Sequence, residues 1–256
     1  MKKYILLFFV ATAALCLFVP QQQANSAGTI ELAADVTSGT ASSFPNLFTE
    51  FNGELFFEGD TVGDWNHSEP FKYNPTTDTV TQITNGNRPA SGVSDLTSLT
   101  VVNGNLYTVM ESSGGLELFQ YNPATNTFDL HTNLNGSGDS YPRQFIEFNS
   151  DLYFVAADSG VGEEIFRLRR DNNTVELVAD VTTGSASSFP NMFTEFNGEL
   201  YFEADTVGDW NHSEPFKYNP TTDTVTQITN GNRPALGDSN LTSLTGFNGN
   251  LYPVQA

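Results

Sequence analysis

Two nine-residue loops hold most of the side chains in this sequence that could bind a ligand or do chemistry. They span residues 60–68 and 205–213, and both read DTVGDWNHS. Together they contain both tryptophans and two of the three histidines of the chain. An indole face beside polar groups suits a sugar ring, which needs a stacking surface and partners for its hydroxyls. The candidate ligand-binding residues are Asp64, Trp65, Asn66, His67, Asp209, Trp210, Asn211 and His212.

The same loops allow two other interpretations. The tryptophans could pack between neighbouring repeats while each histidine caps a turn, and such loops would need no ligand. Aspartate oxygens could also ligate calcium, a hard cation that prefers several oxygen ligands. The candidates for calcium are Asp60, Asp64, Asp205 and Asp209. Because the D-x-D-x-D-G spacing of known calcium loops is absent, the sequence predicts no metal site and no cofactor.

A glutamate recurs once in each repeat, two residues before a phenylalanine, at Glu69, Glu117, Glu164 and Glu214. Paired carboxylates catalyse glycoside hydrolysis, but one glutamate in every repeat is more simply a hydrogen-bond acceptor for a loop or a backbone amide. The sequence has no nucleophile elbow, no H-E-x-x-H motif and no phosphate-binding glycine loop. We therefore predict no catalytic residue, and we expect the third histidine, His131, to face solvent.

The loops belong to a repeat of about 50 residues in which four short strands are predicted. Two-residue turns of Asn-Gly type recur at Asn52, Asn103, Asn149, Asn197 and Asn248. In the last complete copy, alternation places Met192, Thr194 and Phe196 on one face of the strand before the turn. The strand after it places Leu200, Phe202 and Ala204 inward. Two further strands follow, separated by an Asn-Pro turn.

This organisation predicts an all-β fold, a β-propeller-like array of four-stranded antiparallel blades with four full units and a partial fifth. The units cover about residues 37–84, 85–132, 133–181 and 182–229, with the partial unit over 230–256. Residues 31–107 match residues 176–252 at a constant offset of 145, with eleven differences in seventy-seven positions, which indicates duplication of a three-unit block. A closed five-bladed ring and a piece of a longer array both remain open.

The amino-terminal residues 1–27 are typical of an export signal. Met1-Lys2-Lys3 is a basic start, residues 4–19 are apolar, and the segment ends in small residues. Cys16, the only cysteine, lies inside this segment, so residues 28–256 can form no disulfide and no thiolate metal site. We predict a single repeat domain over residues 28–256, secreted or held at the cell surface or in the periplasm, with no membrane span after cleavage.

The charge of the chain excludes one class of partner. The formal net charge is −20, and loss of Lys2 and Lys3 with the signal leaves about −22. A surface of this sign repels the phosphates of nucleic acids and of anionic lipids. Nucleic-acid binding is therefore not expected.

The repeats resemble the bacterial secreted repeats named for the motif ELWxxDGT. The resemblance spans essentially the whole of residues 28–256, and Glu117-Leu118-Phe119 and Glu164-Ile165-Phe166 stand where that family has ELW. Tyr73-Asn74-Pro75 also resembles the outer hairpin of kelch blades. The segments that carry the main resemblance are Ser187-Ser188-Phe189-Pro190, Phe196-Asn197-Gly198-Glu199-Leu200-Tyr201-Phe202 and Leu177-Val178-Ala179-Asp180-Val181.

The resemblance implies an exported or cell-surface propeller-like protein without a family-wide catalytic activity. We therefore favour a binding or interaction module, with a glycan, a surface polymer or a surface protein as its partner. Two alternatives are a propeller-fold glycoside hydrolase or lyase and a purely structural surface repeat. Enzymatic activity, the identity of the ligand and the oligomeric state are left open by the sequence.

Overall fold

A computed structural model describes residues 35–37, 40–64, 67–85, 96–209, 212–228, 241–248 and 250–255. These residues form strands, turns and bends, with no helix among them, and hence no helix that could cross a membrane. The predicted export signal lies outside the described residues. So do Trp65, Asn66, Trp210 and Asn211 of the candidate site.

Four antiparallel sheets follow one another along the chain, and we call them blades 1 to 4. Blade 1 contains β1 (Asn46–Phe51), β2 (Glu54–Asp60), β3 (Ser68–Asn74) and β4 (Thr79–Gln82). After β5 (Thr84–Asn85), blade 2 contains β6 (Ser98–Val102), β7 (Asn105–Ser112), β8 (Gly115–Asn122) and β9 (Thr127–Leu130). Blade 3 contains β10 (Arg143–Phe148), β11 (Asp151–Asp158), β12 (Gly162–Leu168) and β13 (Val175–Ala179). Blade 4 contains β14 (Asn191–Phe196), β15 (Glu199–Asp205), β16 (Ser213–Asn219) and β17 (Thr224–Gln227), and a hairpin of β18 (Leu241–Phe247) and β19 (Asn250–Gln255) follows.

The order of strands in each blade is a simple meander, as the repeat predicts. Its first turn has the expected chemistry, because a type I′ turn needs a positive φ at both central residues. Asn52 and Gly53 have φ of 52° and 78°, and Asn197 and Gly198 have φ of 53° and 78°. The predicted all-β array of four-stranded blades with a partial fifth unit is confirmed.

The first strand of a blade departs from the predicted alternation. In blade 4, Asn191 pairs with Glu203 but Thr194 pairs with Tyr201, so β14 contains one extra residue. Met192 takes up this bulge with a φ of 58°. The ring of Phe193 instead packs edge-on against Phe202, with centroids 6.2 Å apart. An unbroken alternation from Met192 to Phe196 is therefore wrong, because a bulge shifts the phase of the pleat.

Successive blades pack face to face through apolar clusters. The cluster between blades 3 and 4 joins Phe148, Tyr153 and Ile165 to the buried Leu200, Phe202 and Ala204, which confirms the inward face predicted for β15. Equivalent clusters lie between blades 1 and 2 and between blades 2 and 3. The first strands of neighbouring blades also contact each other. Burial of each large apolar side chain contributes about 1.5 to 3 kcal/mol, so neighbouring blades stabilise one another.

A short crossing strand ties blade 1 to blade 2. Thr84 and Asn85 of β5 pair in parallel with Thr127 and Phe128 of β9, on the outer edge of blade 2. The sheet of blade 2 thus has five strands. Because an unpaired edge exposes free N–H and C=O groups, this addition covers part of that edge.

Candidate functional site

The loop between β2 and β3 is built around the buried carboxylate of Asp60. Oδ1 accepts hydrogen bonds from the backbone N–H groups of Val62 (2.7 Å) and Gly63, and Oδ2 accepts one from the N–H of His67 (3.2 Å). The N–H of Thr61 also donates to the carbonyl of His67 (3.2 Å), which closes the loop. Burial by itself would raise the pKa of Asp60, but these backbone donors outweigh it and hold the pKa below its ordinary value.

Gly63 allows the loop to lie against the connector that precedes blade 1. Its φ is 87°, and a Cβ at this position would lie 2.8 Å from the Cβ of Ala41. A larger residue would therefore be strained and would push the loop outward. The loop is held in place by an internal carboxylate on one side and by this close approach on the other.

Two side chains of the predicted site meet on the exposed rim of this loop. Asp64 Oδ1 lies 2.7 Å from His67 Nδ1, and the two side chains are 46% and 41% exposed. The hydrogen bond to Asp64 raises the pKa of His67 above its ordinary value of 6.5. The side chains of Asp64 and His67 thus form a hydrogen-bonded pair that faces solvent before any ligand binds.

The second loop, between β15 and β16, repeats this arrangement. Asp205 accepts hydrogen bonds from the N–H groups of Val207, Gly208 and His212, and its pKa is also lowered by backbone donors that outweigh burial. The pair Asp209 and His212 is joined at 2.8 Å. Blades 2 and 3 have shorter connections at the same place, since β7 ends at residue 112 and β8 begins at 115. The described chain therefore carries this loop in blades 1 and 4.

Each loop also contains a group of side chains that could ligate a cation. Asp60, Asp64 and His67 each offer one ligand atom within 4.8 Å of the others, and Asp205, Asp209 and His212 do the same. The histidine nitrogen makes this set better suited to a transition metal than to calcium, which prefers oxygen ligands. The buried aspartate already accepts three backbone N–H groups. A cation would have to compete with those hydrogen bonds.

Two of the repeated glutamates, Glu117 and Glu164, link their own blades to the segments that lead into the next ones. Glu164 of β12 is fully buried and accepts hydrogen bonds from the N–H of Ser188 (3.0 Å), the hydroxyl of Ser188 (2.5 Å) and the N–H of Val181 (3.1 Å). The carbonyl of Ser188 in turn accepts the N–H of Asp205 (2.6 Å) in blade 4. The interpretation as a structural hydrogen-bond acceptor is confirmed for this glutamate.

Glu117 of β8 makes the corresponding link to Ser140. Its Oε2 accepts the hydroxyl of Ser140, while Oε1 is buried and has no hydrogen-bond partner among the residues the structure describes. Burial raises the pKa of Glu117 to about 7, and burial likewise raises that of Glu164 to about 7. Both carboxyl groups are fully shielded from solvent. This placement fits a structural role and gives a substrate no access to them.

A second feature, which sequence reasoning missed, is an open cleft of about 390 Å³ beside blade 2. Its volume falls in the range of small-molecule sites, about 300 to 1,000 Å³. The aromatic side chains of Phe51 and Tyr121 form part of its wall. The polar residues that line it are Asn52, Asn105, Gln120, Asn122, Asp129 and Asn173.

His131 also lines this cleft, and the expectation that it faces solvent is wrong. The residue follows β9 and is half-buried, with its ring edge-on to Tyr107 at 6.1 Å between centroids. Its Nε2 is shielded from solvent and has no hydrogen-bond partner within the described part of the chain. Desolvation lowers the pKa of His131, so its imidazole is neutral at neutral pH. An isolated histidine at the end of a strand carries no sequence signal for such a position.

No protein-family model matches the chain, and no curated protein is detectably similar to it in sequence. Solved structures do share its fold. The dipeptidyl peptidase 4 of Porphyromonas gingivalis superimposes with a TM-score of 0.51 at 8% identity, over 72% of this chain and 30% of that one. A puromycin hydrolase gives a TM-score of 0.49 at 14% identity, over 83% of this chain and 33% of that one.

The matched region of the dipeptidyl peptidase is a β-propeller domain. At this level of identity the likeness supports the fold alone. The chain spans about a third of the length of either structure. It is therefore a β-propeller-like repeat protein, and its activity has to be argued from its own side chains.

Proposed function

We propose that this protein is an exported, non-catalytic binding module that holds a repeating carbohydrate polymer through its two equivalent loops. The observation that carries the proposal is the exposed Asp64–His67 pair, fixed on a loop organised by the buried Asp60 and repeated in blade 4. Carboxylate and imidazole groups are suitable partners for sugar hydroxyls. Because their geometry is set before binding, little conformational entropy is lost when a ligand binds.

The neighbouring residues in the sequence strengthen this choice of ligand. Trp65 directly follows Asp64, and Trp210 directly follows Asp209. An indole ring offers the flat apolar face on which a sugar ring stacks. The export signal predicted over residues 1–27 and the resemblance to secreted ELWxxDGT-type repeats support a location where such polymers occur.

Two copies of one loop on a single domain favour a polymer over a free sugar. Each loop alone would bind weakly, but linked sites make the second binding event intramolecular and can raise avidity by about 10² to 10⁴. An array of this kind needs a partner with regularly repeated groups. A polysaccharide of the cell surface has that property.

Affinity electrophoresis of the purified protein in gels containing soluble polysaccharides tests the proposal. We expect retardation by at least one neutral polysaccharide of a panel that includes a xyloglucan, a galactomannan and a β-glucan. Asp64→Ala with Trp65→Ala should weaken retardation strongly, and the same changes in the second loop should act alike. The four changes together should abolish it.

Matched control changes come from the blades that lack the loop. Alanine at the exposed Ser113 of blade 2, in the corresponding connection, should leave retardation unchanged. The proposal is wrong if no polysaccharide retards the wild type, or if the fourfold variant is retarded as strongly. Release of reducing ends during incubation would instead favour the glycoside hydrolase or lyase alternative.

A further inference from the structure

Two residues of the repeat are replaced at or near the cleft beside blade 2. The third strand of blade 3 carries Arg167, and the matching position of blade 2 is Gln120. The third strand of blade 4 carries Tyr218, and the matching position of blade 3 is Leu168. Leu168 belongs to the apolar cluster between blades 2 and 3, and Gln120 lines the cleft together with Phe51 of blade 1 and Asn173 of blade 3.

At the contact between blades 3 and 4, the larger pair fills the space. Arg167 lies over the ring of Tyr153 at 6.0 Å and donates to the hydroxyl of Tyr218 (3.2 Å). It also forms an ion pair with Glu176 at 2.7 Å. At the contact between blades 2 and 3, the shorter Gln120 donates instead to Asn105 (3.2 Å). Gln120 is shorter than the arginine at the matching position, so it fills less of the cleft that it lines.

The chemistry of the cleft indicates the kind of molecule it would accept. Five of its polar side chains are amides, which both donate and accept hydrogen bonds, as sugar hydroxyls do. Among the described residues that line it, Asp129 alone carries a formal charge at neutral pH, since the imidazole of His131 is neutral. His131 also lines the cleft, and because its Nε2 is shielded from solvent, its ring contributes surface to the wall rather than a polar contact. A negatively charged ligand would be repelled by Asp129 and by the net charge of the chain.

We propose that this cleft is a second binding site, for one or two rings of a neutral saccharide. The cleft is separate from the two loops, because Asn52 lies in the turn before β2 and the loop of Asp60 follows β2. A strand of seven residues separates them by about 20 Å. The site does not depend on the function proposed for the loops.

Saturation-transfer difference NMR with cellobiose, maltose and N,N′-diacetylchitobiose tests the site directly. We expect saturation transfer to at least one of these neutral disaccharides, and a shift of the His131 ring resonances that His67 and His212 do not share. The double variant Gln120→Arg/Leu168→Tyr introduces the arginine and the tyrosine found at the contact between blades 3 and 4. Asp129 occupies the position of Glu176, which forms an ion pair with Arg167, so it can pair with the introduced arginine. This double change should lower affinity by about tenfold or more.

A second variant guards against a folding defect. Asn52→Gly removes an exposed side chain at the rim and accepts the positive φ of Asn52, so it should lower affinity about threefold to tenfold while the melting temperature stays unchanged. Alanine at Asp64 and Asp209 should leave the shift of the His131 ring resonances unchanged, so failure of the loop proposal and failure of this one can be told apart. Absence of saturation transfer to all three disaccharides, or unchanged affinity in the filled variant, overturns the proposal.

Discussion

Replacement of Glu117 by glutamine should remove a pH-dependent cost of folding. Burial raises the pKa of Glu117 from 4.5 to about 7. Below about pH 4.5 the carboxyl group is protonated in the folded and in the unfolded chain. Between about pH 4.5 and 7 only the unfolded chain loses the proton, so the free energy of unfolding falls as the pH rises through this window and remains low above it.

The size of this effect follows from the pKa and the geometry. At about 1.4 kcal/mol per pKa unit, the upper limit is about 3.5 kcal/mol, and solvent screening reduces our expectation to about 1 to 2 kcal/mol. A glutamine carbonyl can accept the hydroxyl of Ser140 in place of Oε2. Its amide would take the place of Oε1, which has no hydrogen-bond partner among the described residues. The buried amide adds a cost that does not vary with pH, so Glu117→Gln should gain about 1 to 2 kcal/mol on the wild type as the pH rises from about 5 to about 8.

Urea unfolding followed by fluorescence between about pH 5 and pH 8 measures the difference. The control is Glu195→Gln, which removes the same charge at an exposed position and keeps an oxygen that can accept the N–H of Gly198. Its stability should follow the pH dependence of the wild type. If Glu117→Gln gains nothing near pH 8, or if Glu195→Gln gains as much, then burial of Glu117 does not carry the cost that we assign to it.

Three further predictions follow from the hydrogen bonds of the repeat. Ser188→Ala removes a buried donor to Glu164 and should lower the free energy of unfolding by about 1 to 3 kcal/mol in urea titrations. Asp60→Asn leaves one side-chain oxygen for three backbone donors, so the amide of His67 should exchange with solvent about tenfold faster by NMR, and unchanged exchange would contradict its role. In NMR pH titrations, the pKa of His67 should lie above 6.5 and that of His131 below it. The reverse order would contradict the hydrogen bond of His67 to Asp64 and the burial of His131.

Local chemistry was sufficient to predict the repeating fold. An Asn-Gly pair between alternating runs specifies a hairpin because both residues accept a positive φ, and Asn52 and Gly53 adopt it. The recurrence of one glutamate in each repeat indicated a structural acceptor, as Glu164 proves to be. Alternation failed at Met192, because a bulge depends on pairing with the neighbouring strand.

The candidate loops were found from the sequence, since the side chains of Asp64 and His67 are three residues apart in one turn and meet locally. The sequence identified Asp60 as a possible ligand but not as the residue that organises the loop. That role depends on hydrogen bonds from backbone N–H groups, and these depend on the path of the loop. The sequence suggests Asp60 and Asp64 as calcium ligands, and the structure adds His67 to this group.

The cleft and the position of His131 were decided by tertiary structure alone. Gln120 is an ordinary residue in its own strand, and it lines a cleft only because the fold brings it together with Phe51 of blade 1 and Asn173 of blade 3. A sequence repeat determines which surfaces each blade presents, through interactions between residues close in the chain. The volume left between two blades depends on the summed shape of side chains from both, and that sum exists only once the blades have packed.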